Sequence, residues 1–129
     1  MPDPLLYREE AYQIIGACFA VYREKGHGFA EAVYQDSLEI ELEHSAVPYE
    51  AQRNFQITHR GQPLRHSFTP NLVCFGKILV ELKAVRTLAD EHRAQVLNYL
   101  KVAKLQLALL VNFGAYPQLQ WERLVLTHP

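Results

Sequence analysis

The chain has 129 residues, 49% of them hydrophobic and 21% charged. That composition excludes a disordered chain, and the length suits one buried core rather than two ordinary domains, so a single domain over residues 1–129 is expected. The net charge of −1 excludes a protein that is basic throughout, but it hides a division along the chain. Before Arg53 there are ten acidic residues against Arg8, Arg23 and Lys25, whereas from Arg53 to Lys104 nine basic residues face Glu81, Asp90 and Glu91. Such a split can present a basic face to polyanions, or let one half attract the other.

No apolar run approaches the roughly 20 residues that span a bilayer. The start, MPDPLLYREE, has acids and prolines where a signal peptide carries a basic end and an apolar core. A cytoplasmic protein without membrane contact is the expectation. Cys18 and Cys74 lack CxxC spacing and read as buried free thiols.

In chain order, Leu5 to Lys25 reads as a helix, with Ala11, Ile14, Ile15, Cys18, Phe19 and Tyr22 at three- and four-residue spacing. Gly26 and Gly28 end it by supplying positive φ. A second helix is predicted from about Ala30 to His44, burying Ala30, Val33, Tyr34, Leu38 and Leu42. Glu31 falls in its first turn, where the helix dipole favours an acid. Tyr34 follows three residues later on the same side, as core or as a support for Glu31. After Pro48, Phe55–His59 and Leu64–Phe68 read as an antiparallel pair turning at Gly61-Gln62-Pro63.

Next comes TPNLVCFGKILVELKAV, from Thr69 to Val85. It reads as two short strands joined at Phe75-Gly76-Lys77. Alternation along the second strand puts Glu81 and Lys83 on one face, roughly 6–7 Å apart, among apolar neighbours. A structural ion pair accounts for them; so does a carboxylate for a metal beside an ammonium for a reacting phosphate. Leu88 to Ala103 is predicted helical, with Leu88, Val96, Tyr99, Leu100 and Ala103 inward and Gln95 beside that face. Leu107–Phe113 reads as a central strand buried on both faces, and Gln118–Leu126 as a strand at or near an edge. This order predicts an α/β sandwich with a mixed sheet.

Glu31 on an early helix, Asn71 at a strand start and Glu81-Leu82-Lys83 on the next strand form an ordered set. It resembles the PD-(D/E)XK nuclease superfamily, and within it the small bacterial GxxExxY proteins, over roughly Ala11 to Leu126. The naming motif is matched by Gly28-Phe29-Ala30-Glu31-Ala32-Val33-Tyr34 and the ExK element by VELKAV. The later segments are matched by Gln95-Val96-Leu97-Asn98-Tyr99-Leu100 and Leu109-Leu110-Val111-Asn112-Phe113-Gly114. The resemblance implies a three-layer restriction-endonuclease-like core, a central mixed sheet flanked by helices. It also implies metal-dependent phosphodiester hydrolysis of DNA or RNA. Glu31, Asn71, Glu81 and the Leu82 carbonyl would hold Mg²⁺ or Mn²⁺. Lys83 and Gln95 would act on water and phosphate, with Tyr34 and Tyr99 supporting. One position departs from the family pattern: Asn71 stands where the family carries an Asp, removing a charge from the cation site.

Arg86, Arg93, Lys101 and Lys104 can meet a nucleic-acid backbone, or form a solvated surface. Two other classes compete with the enzyme. One is a silent nuclease fold that binds nucleic acid or protein. The other is a homo-oligomeric unit in which acidic and basic halves of different copies meet. The six histidines show no metal-binding spacing.

Overall fold

A computed structural model describes residues 6–127; the predicted helix start at Leu5 and the histidine at position 128 lie outside them. The first helix, α1, runs Arg8–Lys25 and buries Ala11, Ile14, Ile15, Ala17, Cys18 and Val21. Gly26, at φ 67°, stops it while its N–H bonds the Tyr22 carbonyl. Helix α2, Glu31–His44, buries only Tyr34, Leu38 and Leu42. That stripe of three residues at four-residue spacing is narrower than expected: Ala30 is exposed ahead of the helix and Val33 is half-buried at the stripe's margin.

A short strand that the sequence did not announce, β1 (Tyr49–Glu50), follows Pro48. Strands β2 (Phe55–His59) and β3 (Gln62–Phe68) come next. Their turn is Arg60-Gly61, one residue earlier than predicted, with φ of 53° and 77°. Paired positive φ values match the twist of a two-residue hairpin loop, which leaves Pro63 inside β3. The expected antiparallel pair is present and stands apart from the main sheet, because β2 and β3 pair only with each other.

The central hairpin consists of β4 (Leu72–Cys74) and β5 (Ile78–Lys83). Helix α3 then spans Asp90–Ala103, and β6 (Leu107–Asn112) and β7 (Gln120–Val125) complete the chain. Leu88 is buried but precedes α3, since the helix is entered at Ala89, whose N–H donates to His92 Nδ1 at 3.0 Å. The five-stranded sheet has the order β1-β4-β5-β6-β7. Strands β5 and β6 are parallel and the other neighbours antiparallel. The mixed sheet flanked by helices is therefore the arrangement seen, with β6 buried along its whole length and β7 at an edge.

Strand alternation sorts the sheet's two faces. Ile78, Val80, Leu82, Leu107, Leu109 and Val111 pack under α1 and α2. Leu79, Ala108 and Leu110 pack under α3 and the β2–β3 hairpin. Glu81 and Lys83 share the face of Leu79.

Candidate active site

Strand β4 is shorter than β5. Their pairing begins at Leu72↔Val80, so Glu81-Leu82-Lys83 runs on with no β4 backbone beside it. The side chain of Asn71 fills that notch. The Leu82 N–H donates to Asn71 Oδ1 at 2.9 Å, in place of the missing ladder bond. N–H and C=O of one strand residue leave by the same edge, so the Leu82 carbonyl also opens onto the notch.

This donor fixes which way the Asn71 amide points. With its oxygen on Leu82, its nitrogen donates to Glu31 Oε2 at 3.1 Å and to Gln35 Oε1 at 3.0 Å. The Asn71 backbone N–H donates to Glu81 Oε1 at 3.3 Å, while Gln35 Nε2 donates to the Asn71 carbonyl and to Glu39. Asn71 thus joins Glu31 and Glu81, although α2 packs on the sheet face opposite the one Glu81 points to. The two acids meet because the notch is open at the strand edge.

Tyr34 explains how Glu31 gets there. Its ring is fully buried and stacked on Phe113, centroids 4.6 Å apart. Its hydroxyl donates to the Gly26 carbonyl at 2.6 Å and accepts from the Phe29 N–H at 3.2 Å. The loop entering α2 is therefore held by a core side chain, and Glu31 starts the helix two residues after that loop bond.

Burial raises the pKa of the Glu81 carboxyl to about 7; the Asn71 N–H and the Lys83 charge oppose this and Glu31 adds to it. Tyr99 faces the same carboxylate: its hydroxyl pKa is raised first by burial and then by Glu81. Lys83 is half-buried and makes no ion pair with Glu81 among the described residues, so the structural ion-pair account is not what is seen. Gln95 lies one turn before Tyr99 on the same flank of α3, exposed and not bonded to Glu81 or Lys83.

Of the four candidate phosphate contacts, Arg86, Lys101 and Lys104 are exposed. Arg93 is corrected to a bridge from α3 to β7. Its Nε and one terminal nitrogen bond the two Glu122 oxygens at 2.7 and 2.5 Å, and the other terminal nitrogen bonds Asp90 at 2.9 Å. A fork so occupied does not swing out to a phosphate.

Two polar residues were not singled out from the sequence. Gln35 is signalled only by its four-residue spacing from Glu31, on the same helix flank. Asn112, fully buried, accepts at Oδ1 from the Val85 and Gly114 N–H groups and donates to Gln120. It stood within the family-matching segment 109–114 without a role of its own, and a lone amide ending an apolar strand was its physical sign.

The donors at the notch are oxygens, the chemistry a hard cation prefers. Among the described residues, no three His, Cys, Asp or Glu side chains gather as a metal-binding group. Asn71 occupies the place where a third acid would sit.

A mixed sheet between helices, notched at this edge, defines an α/β fold of the restriction-endonuclease type. The crystal structure of SSO0001 shares it, with a TM-score of 0.60 over 73% of this chain and 48% of that one at 16% identity. The present chain thus spans about half the length of that protein. A family profile of the PD-(D/E)XK nuclease superfamily matches residues 8–124, and the chain belongs to that superfamily. No curated protein matches it.

Proposed function

We propose that this domain is a metal-dependent nuclease of the GxxExxY type, cleaving phosphodiester bonds in DNA or RNA, with cation affinity reduced by Asn71. The observation that carries this reading is the join at the notch. Glu31, Asn71 and Glu81 come from three separate elements, are linked by hydrogen bonds, and lie beside Lys83. A buried carboxyl with a strongly raised pKa, joined through Asn71 to a second acid, is a mark of functional sites.

Glu31 and Glu81, with the Leu82 carbonyl, would hold Mg²⁺ or Mn²⁺. A cation of this kind, when bound, polarises a phosphoryl oxygen and lowers the pKa of its water. Glu81 would serve as a ligand in its deprotonated form. Lys83 offsets charge growing on the phosphate. Gln95 and Tyr99 border the approach from α3, and Arg86, Lys101 and Lys104 hold the strand through its phosphates. No described helix is long and apolar enough to cross a membrane; a cytoplasmic location is part of the proposal and does not follow from that absence.

One observation favours a second reading, a silent fold used for binding nucleic acid or a protein. The Asn71 amide nitrogen donates to Glu31, supplying from within the chain the positive partner that a cation would otherwise provide. Calorimetric titration with Mg²⁺ and Mn²⁺, on the wild type and on Asn71→Asp, separates the two. The nuclease reading expects weak binding that tightens on the order of tenfold in Asn71→Asp, as the ligand charge rises. It also expects cleavage that is lost when Glu81→Ala or Lys83→Ala is added. An Asn71→Asp variant that binds no metal overturns the metal site; one that binds metal and never cleaves leaves the binding module.

A further inference from the structure

Beyond Lys83, three loops meet at the carboxyl ends of the parallel strands β5 and β6. They enclose a cleft of about 620 Å³, lined by His27 and Phe29 from the first loop, Arg86 and Thr87 from the second, and Tyr116 from the third. This volume lies within the range of about 300–1,000 Å³ typical of small-ligand sites, and the ends of parallel strands are where open α/β sheets place ligands.

The walls are held in place from behind. Asn112 ties the second loop to the third through the Val85 and Gly114 N–H groups, both at 3.0 Å. Gly114 packs so close that a Cβ there would come within 2.3 Å of the Val85 carbonyl oxygen. The Tyr34 hydroxyl holds the first loop at Gly26 and Phe29, and the Tyr22 hydroxyl donates to Ala115 in the third at 2.6 Å.

The chemistry offered is aromatic and cationic. The His27 and Tyr116 rings lie 4.6 Å apart, tilted by 44°. Tyr116 is 74% exposed and Phe29 48%. These rings stand in water beside an open cleft. The exposed Arg86 makes no ion pair among the described residues, and no carboxylate lines the cleft. Flat apolar faces next to an unneutralised guanidinium suit a π-system that carries an anion, and the continuity from Lys83 to Arg86 places this beside the candidate active site.

We infer that the cleft binds a nucleoside phosphate, its base stacked on Tyr116 with His27 and Phe29 around it and its phosphate on Arg86. The inference rests on the nuclease reading for one source of that ligand, an unstacked nucleotide of a single strand; the other source is a free mononucleotide. Binding at this cleft needs no metal.

The test uses the full chain in a chelator at low salt, with a short single-stranded oligonucleotide containing 2-aminopurine, whose fluorescence falls on stacking. Quenching on binding is expected, and Tyr116→Ala should abolish it and weaken affinity roughly 5- to 100-fold. Tyr116→Phe should keep both, and Arg86→Ala should weaken binding and flatten its salt dependence. Tyr116 is exposed, so its variants should melt as the wild type does. Displacement by adenosine monophosphate at matching concentrations identifies the free nucleotide as the source; resistance to it identifies the strand. No binding, no quenching, or equal affinity for Tyr116→Ala or for an abasic oligonucleotide overturns the inference. A failed metal titration leaves this readout untouched, so the two proposals fall separately.

Discussion

Glu81 carries its carboxyl at 7% exposure, with a pKa raised by burial from 4.5 to about 7. An unfolded chain releases this proton near pH 4.5 while the folded one keeps it until about pH 7. Stability therefore falls as pH rises through that window, by about 3 kcal/mol from this group. Urea unfolding in a chelator at pH 5 and pH 8 should show the loss in the wild type and not in Glu81→Gln; equal slopes in the two proteins would contradict the assignment. Asn71→Asp works on the same cluster. The new carboxylate still accepts from Leu82 but no longer donates to Glu31 and Gln35, and it adds a like charge between two acids. Without metal the variant should be about 1–2 kcal/mol less stable, and Mg²⁺ should restore the loss. Thermal melts with and without Mg²⁺ measure this directly.

At the scale of elements, two aromatic devices position the parts around the notch. The Tyr34 hydroxyl fixes the loop into α2, so Tyr34→Phe should keep the stack on Phe113 and cost about 1 kcal/mol. Metal or nucleic-acid binding that depends on Glu31 should weaken with it. The β2–β3 hairpin is held to the rest through Phe55 and Ile57 of β2 and Phe68 of β3; apart from Phe68, every residue of β3 is exposed. Phe68 stacks on Tyr99 of α3 at 4.0 Å and on Phe55 at 5.2 Å. Tyr99→Ala should cost about 2 kcal/mol and speed amide exchange across residues 55–68 while β5 and β6 stay protected. Uniformly faster exchange over the whole sheet would mean that the hairpin is not a separate unit.

For the molecule as a whole, the charge division along the chain is partly satisfied internally. Lys77, on the turn of the central hairpin, meets Glu10 of α1 at 2.7 Å and lies over the Tyr7 ring. Arg93 is bound instead to Glu122, which lies beyond both halves. What faces solvent from the basic half includes Arg60 and Arg65 on the hairpin and Arg86, Lys101 and Lys104 near α3. Contacts of this kind go to phosphates, so nucleic-acid affinity should fall steeply between about 50 and 200 mM salt and vary little with sequence. Filter binding across that salt range checks it, and a salt-independent affinity would point to some other partner.

Much of the fold was legible because burial writes a period into the chain. The spacing in α1, the run of β6 and the alternation around Glu81 each reflect one element against one core, and each marked its strand or helix within a few residues. The order Glu31, Asn71, Glu81 and Lys83 was equally readable as a motif, down to the unusual amide. Pairing across the chain left no such local trace. That β2 and β3 form a separate pair, with Phe68 stacked on Tyr99 31 positions away (99 − 68), is a long-range contact of this kind. That Arg93 faces Glu122 rather than solvent depends on β7 lying beneath α3. The direction of the Asn71 amide was set by one strand, β4, stopping short and leaving the Leu82 N–H without a backbone partner. Local pattern records how much of a residue is buried; which group it meets follows from strand register and element length, and those are settled only when the whole sheet assembles.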